Sequence, residues 1–277
     1  MNTTEKNPNA TLSVSILSGK GGVGKTNLAL NLGFALFRAG HRLLVMDFDV
    51  GLANIDVLLG LSPEKNLQDL FRPGVVAEDV VLSIEAGGFD FLPAASGVPE
   101  LLEMDEDMRE ALFSKLNDVF SRYDYLFLDH GAGISPNVLS AASMSRMPVL
   151  VVTPEPTSLT DGYAVIKVLS AQYKVRNFHI LVNQVASPRE AETTFERLAS
   201  ACERFLRLSP SFLGGVHTDP AVPEAVRRQI PLMKFAPKCR AAQDILNIAV
   251  KIHRHRQKLG QKLKTGPILK NLLERAS

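Results

Sequence analysis

The chain has 277 residues, 45% hydrophobic and 22% charged, which is enough for one large α/β domain or two small ones. Its two cysteines, Cys202 and Cys239, form no C-x-x-C pair, which argues against a disulfide framework or a cysteine metal site and fits a reducing cytoplasm. The net charge is only +2, but residues 251–277 carry eight Lys and Arg against one Glu, leaving about −5 on the rest, and no apolar run approaches the roughly 18 residues of a membrane span.

Residues 1–11 are polar, lack the apolar core of a signal peptide and predict a flexible arm. Residues 14–17 predict a buried strand, and Leu28, Leu32, Ala35 and Leu36 recur at helical spacing. Between them stands Gly19-Lys20-Gly21-Gly22-Val23-Gly24-Lys25-Thr26, in the strand–G-x-x-x-x-G-K-[ST]–helix context of a P-loop. Its glycines let backbone N–H groups turn toward a phosphate, and the helix N-terminus adds a positive dipole end. Lys25 can reach β- and γ-phosphates, and the Thr26 hydroxyl can ligate Mg²⁺.

Residues 42–47 (RLLVMD) predict a second buried strand, with Asp47 and Asp49 at its end. Ligands of open α/β sheets bind at the carboxyl ends of strands, so these carboxylates can face a phosphate-bound Mg²⁺ and its water. Residues 67–71 predict a short helix closed by Pro73-Gly74, and residues 89–93 a strand. Residues 99–104 predict a loop or short helix, and residues 106–121 a helix with Leu112, Leu116 and Phe120 on one face. Residues 125–129 (YLFLD) form an apolar strand ending in Asp129, the Walker B pattern, where a carboxylate can hold the Mg²⁺ shell. His130-Gly131-Ala132-Gly133 follows.

Residues 148–153 predict another buried strand, and in the PEPTSLTD run after it Thr157 or Ser158 can cap the next helix. Residues 178–183 predict a strand ending in Asn183, whose amide can offer donor and acceptor to an adenine edge. Then come a helix over 189–206, a short strand over 212–216, a loop over 217–220 and a helix over 221–229 ended by Pro231. A last helix starts at Arg240, marked by Ile245, Leu246, Ile248, Ala249 and Ile252, and passes into the basic tail. Gly266-Pro267 interrupts it, and Ile268, Leu269, Leu272 and Leu273 fall on one helical face beyond. The tail's charge suits an acidic partner, lipid or nucleic acid. The element order implies an α/β fold with right-handed crossovers, a mainly parallel twisted sheet flanked by helices. One domain is expected over residues 12–252, followed by a basic, amphipathic tail over 253–277.

The loop resembles the deviant Walker A motif of the MinD/ParA family, in which a second lysine stands early, here Lys20. The runs DFDVGLANIDVLLG, DHGAG and PEPTSLTDGY are similar to the FlhG/FleN/YlxH branch of that family, and the resemblance covers about residues 12–250. It implies an ATPase that binds ATP and Mg²⁺, dimerises in ATP and sets flagellar number and placement. It makes Lys20, Lys25 and Asp49 catalytic, with Lys20 reaching the other subunit's phosphates and Asp49 orienting the attacking water. Thr26, Asp47 and Asp129 are implied at the metal, and Asn183 and Asp219 at the base. Implied partners are a FlhF-type GTPase, switch or basal-body proteins, or a flagellar transcription activator; direct nucleic-acid binding is not expected. Chromosome, plasmid or division-site positioning, or ATP-gated anti-activation, are the alternative roles. The tail resembles a membrane-targeting helix for an anionic surface, carried by a cytoplasmic protein that becomes peripheral when ATP-bound; the same face can instead fold back on the protein. Three departures stand out. His130 replaces a small or hydroxylated residue, residues 1–10 contain no D-Q-A-type motif for stimulating FlhF, and the cysteines of the superfamily's iron–sulfur members are missing.

Overall fold

A strand that is apolar on both faces needs cover on both. β1 (Leu12–Leu17), β2 (Leu43–Phe48), β5 (Tyr125–His130) and β6 (Met147–Val152) are buried at every position. The computed structural model describes residues 10–48, 55–72, 74–93, 116–264 and 268–269. With β3 (Leu82–Glu85), β4 (Phe89–Leu92), β7 (His179–Val185) and β8 (Ser211–His217), these strands form one sheet in the order β3-β4-β2-β5-β1-β6-β7-β8. All neighbours are parallel except the edge pair β3–β4. β3 is absent from the sequence reading, because four half-exposed residues carry too little pattern.

Helices cover both faces. On one side lie α1 (Lys25–Arg38) and the long C-terminal helix, which share a core with Val14, Val45, Phe127 and Leu213. On the other lie α3 (Pro136–Ser143), α4 (Pro156–Gln172) and α5 (Pro188–Leu206), packed on Leu150, Val152 and Ile180. Shorter helices are α2 (Ile55–Leu59), α6 (Ala221–Arg227) and α7 (Leu232–Phe235). The C-terminal helix, α8 (Arg240–Lys264), runs past residue 252 and kinks at Gly260. The arm is fastened at its end: Thr11 Oγ1 donates to the carbonyls of Phe120 and Tyr123, and Arg256 donates to the Ala10 carbonyl.

Two local expectations change. α4 begins at Pro156 with Glu155 as N-cap, so neither Thr157 nor Ser158 caps it; Ser158 Oγ instead accepts from the Thr153 N–H at 3.0 Å. Proline starts the helix there because its missing N–H is one that no helix turn would satisfy. β8 runs one residue further than expected and takes His217 out of the loop. Of the helix expected over 106–121, residues 116–120 are helical. Residues 99–104 and 106–115 lie outside the described residues.

Candidate nucleotide site

β1 delivers the chain to the loop, and α1 leaves it. Gly24, at φ 89°, is the N-cap of α1, with no side-chain cap and no acidic residue in the first turn. No cap side chain competes there with an anion for the helix's first N–H groups. Two glycines are required by close approach. A Cβ on Gly19 would lie 2.3 Å from the Asp161 backbone, and one on Gly24 would lie 2.6 Å from Nδ2 of Asn183. The start of α4 and the end of β7 thus press directly on the loop. Lys25 is buried, whereas Lys20 stands at the rim, ion-paired with Glu155 and 3.2 Å from the Thr157 hydroxyl.

Behind the loop, Asp47 and Asp129 face each other in register across β2 and β5, each 1% exposed. Two buried carboxylates side by side favour positive charge in their neighbourhood. With the Thr26 hydroxyl they offer the hard oxygen donors that Mg²⁺ takes, and the donor set fits that ion. The N–H of Gly133 donates to the Ser18 carbonyl at 2.9 Å and ties the loop after Asp129 to the P-loop. His130 points away from this chemistry. It is buried beside the Phe48 ring with Nε2 2.9 Å from Ser15 Oγ. Burial, and then the Lys25 charge, push its pKa down to about 3, so it packs as a neutral ring. Asp49 lies outside the described residues.

Asn183 and Asp219 meet at a cavity of about 180 Å³ that also takes in Gly24, Asn27, His217 and Thr218. Nδ2 of Asn183 donates to the Val23 carbonyl at 2.8 Å, which fixes the amide against the P-loop. Asp219 works as a clamp: Oδ1 accepts from the Ala221 N–H at 2.9 Å and Oδ2 from the Ala241 N–H at 3.3 Å. Burial works against its charge, but these backbone donors hold the carboxyl below its usual range. Sequence reasoning missed two residues here. Glu155 holds Lys20 from 135 positions away, and Asp244 on α8 holds His217. A histidine at the carboxyl end of a strand was the available signal for the second.

The tail residues are elsewhere. Ile268 and Leu269 are 5% and 7% exposed, packed with Leu44, Met46 and Leu126 on the face opposite α1, and the Ser13 hydroxyl donates to the Ile268 carbonyl at 2.7 Å. In this state they face protein and not lipid; Leu272 and Leu273 lie outside the described residues. Among the described residues, no helix is long and apolar enough to cross a membrane.

The pattern of the CobQ/CobB/MinD/ParA nucleotide binding domain matches residues 14–232. The antiactivator FleN of Pseudomonas aeruginosa is 36% identical over 239 residues, 86% of this chain and 85% of FleN. The flagellum site-determining protein YlxH of Helicobacter pylori is 34% identical over 246 residues, 88% of this chain and 82% of YlxH. Among solved structures, the MinC:MinD cell division protein complex of Aquifex aeolicus matches with a TM-score of 0.69 at 28% identity, over 88% of this chain and 96% of that one.

Proposed function

Because the chain belongs to the CobQ/CobB/MinD/ParA nucleotide-binding family, in the branch of FleN and YlxH, we propose that it is an ATP-driven, dimerising switch that regulates flagellar number and placement. It is a MinD-like ATPase that converts ATP and water to ADP and phosphate, with Mg²⁺ as cofactor. The P-loop N–H groups and Lys25 hold the β- and γ-phosphates. Thr26, Asp47 and Asp129 would hold Mg²⁺, which would supply charge neutralisation at the phosphate oxygens. Asp49 orients the attacking water. Lys20 serves the phosphates of the other subunit in the ATP-bound dimer. Asn183 and the cavity beside it take the base.

The observation that carries this reading is the placement of two lysines on one loop, Lys25 buried and Lys20 at the rim, in front of the paired Asp47 and Asp129. Protein partners follow from the branch: a FlhF-type GTPase, switch or basal-body proteins, or a flagellar transcription activator. The tail is read as a membrane anchor that must leave its seat beside Leu44 and Met46 before it meets an anionic surface. Identity to FleN favours one second reading, an ATP-gated anti-activator for which ATP binding alone suffices.

Flagella are counted, with their positions, in cells carrying the wild-type gene, a deletion, Lys25→Ala or Asp49→Ala. The deletion and Lys25→Ala are expected to change number and placement alike. If Asp49→Ala behaves as wild type, the anti-activator reading is the correct one. Unchanged flagellation in the deletion contradicts the proposal.

A further inference from the structure

His217 ends β8 at the base cavity and is 7% exposed. Its Nδ1 lies 2.6 Å from Oδ2 of Asp244, in the second turn of α8, and its backbone N–H donates to the same oxygen at 3.0 Å. A carboxylate only accepts, so Nδ1 carries the proton, and the uncharged tautomer that this contact selects presents an acceptor at Nε2. That Nε2 is buried and has no hydrogen-bond partner among the described residues. Buried polar atoms are nearly always paired, so an unpartnered one on a cavity wall points to a ligand atom.

Asn183 adds to the pattern. One N–H of its Nδ2 is given to the Val23 carbonyl, which holds the amide in place and leaves Oδ1 as an acceptor at the cavity. Both oxygens of Asp219 already accept backbone N–H groups. His217 Nε2 and Asn183 Oδ1 are therefore two acceptors open to whatever base enters. Adenine carries a donor at N6 where guanine carries the acceptor O6. At about 180 Å³, the cavity is smaller than the ~300–1,000 Å³ of a drug-sized ligand site, which suits one base and not a whole nucleotide.

We propose that His217, oriented by Asp244, accepts a hydrogen bond from the N6 amino group of adenine and sets the preference of this site for ATP over GTP. The proposal rests on the reading of the cavity as the base site. Asp244 is then a positioning residue, since it acts only by fixing which nitrogen of His217 carries the proton.

The test uses the full chain with Mg²⁺ and competition against a fluorescent nucleotide. Affinities are measured for ATP, GTP and purine riboside 5′-triphosphate, which is ATP without the N6 amino group. Wild type is expected to bind ATP ~10-fold more tightly than purine riboside triphosphate, and GTP more weakly than ATP, because each competitor leaves buried acceptors unpaired. In His217→Leu the affinities for ATP and purine riboside triphosphate are expected to converge to within about 3-fold, through loss of ATP affinity alone. His217→Gln, which can again present an acceptor, is expected to keep part of the preference, and it decides the matter if His217→Leu binds neither nucleotide. A ~10-fold preference that survives in both variants, or a wild type that does not distinguish the two nucleotides, overturns the proposal. A wild type that binds none of the three overturns the nucleotide site itself.

Discussion

The ammonium group of Lys20 is ion-paired with the Glu155 carboxylate, and the Thr157 hydroxyl lies 3.2 Å from it. The residue that sets this P-loop apart is thus held by the PEPTSLTD run at the start of α4. Both partners are well exposed, at 38% and 57%, so the pair adds little to stability. Its consequence is positional. A lysine that serves another subunit's phosphates must first leave Glu155.

Glu155→Gln is therefore expected to leave unfolding stability within about 0.5 kcal/mol of wild type and to strengthen ATP-dependent self-association a few-fold. Lys20→Ala is expected to abolish that association. Sedimentation velocity over a concentration series measures both. Identical association of wild type and Glu155→Gln would remove the restraining role of this pair.

Gly19→Ala tests the contact between the loop and α4. The new Cβ would meet the Asp161 backbone at 2.3 Å, and backbone cannot swing aside as a long side chain can. A cost of about 1–3 kcal/mol in urea unfolding is expected, with weaker ATP binding because the loop must shift. Wild-type stability and affinity together would mean that α4 does not brace the loop.

The tail makes a third test. Ile268 and Leu269 contribute at most about 1.5–3 kcal/mol each by burial, a cost that leaving their seat must meet. One tail on lipid is then marginal, and two on a dimer bind with greater avidity. The full chain is expected to pellet with anionic vesicles in ATP and not in ADP, and a chain ending at Thr265 to pellet in neither. Equal pelleting of both chains in ATP would rule out the tail as anchor.

Acid should loosen the fold at the opposite end of the sheet. His179, at the start of β7, stacks edge-on with His255 of α8 at 4.8 Å. Burial, and then His255, push the His179 pKa down to about 4; burial, and then Lys258, lower that of His255. An unfolded histidine takes up its proton near 6.5, so between about 6.5 and 4 the unfolded chain binds more protons than the folded one. Stability therefore falls as pH falls through that window, by up to about 1 kcal/mol per pH unit from His179. Urea unfolding from pH 7 to 4.5 should show a shallower fall for His179→Gln than for wild type. Equal slopes would contradict the assignment.

The P-loop, Asp47 and Asp129 were legible in the sequence because each is a local pattern, an apolar strand followed at once by its functional residue. Their meeting follows from one rule, that parallel strands bring their carboxyl ends together. What was not legible depends on distant pairs. Ser13 and Ile268 are 255 positions apart, and His217 and Asp244 are 27 apart, and no periodicity announces either bond. The tail shows why pattern alone is insufficient: Ile268 and Leu269 belong to a pattern that suits lipid, and they pack in the core beside Met46. Asp219, which the resemblance implies at the base, lines the cavity, and its carboxyl fastens α6 and α8 beside it through bonds that no sequence pattern announces.

The central claim is that ATP joins two copies of this chain and that hydrolysis parts them. Asp49→Ala, in Mg²⁺ with ATP or with ADP, is weighed by light scattering after size-exclusion chromatography. The account predicts twice the 30.2 kDa chain mass in ATP and a single chain in ADP, with ATP turnover lost. A mass of one chain in both nucleotides, with ATP demonstrably bound, would contradict it.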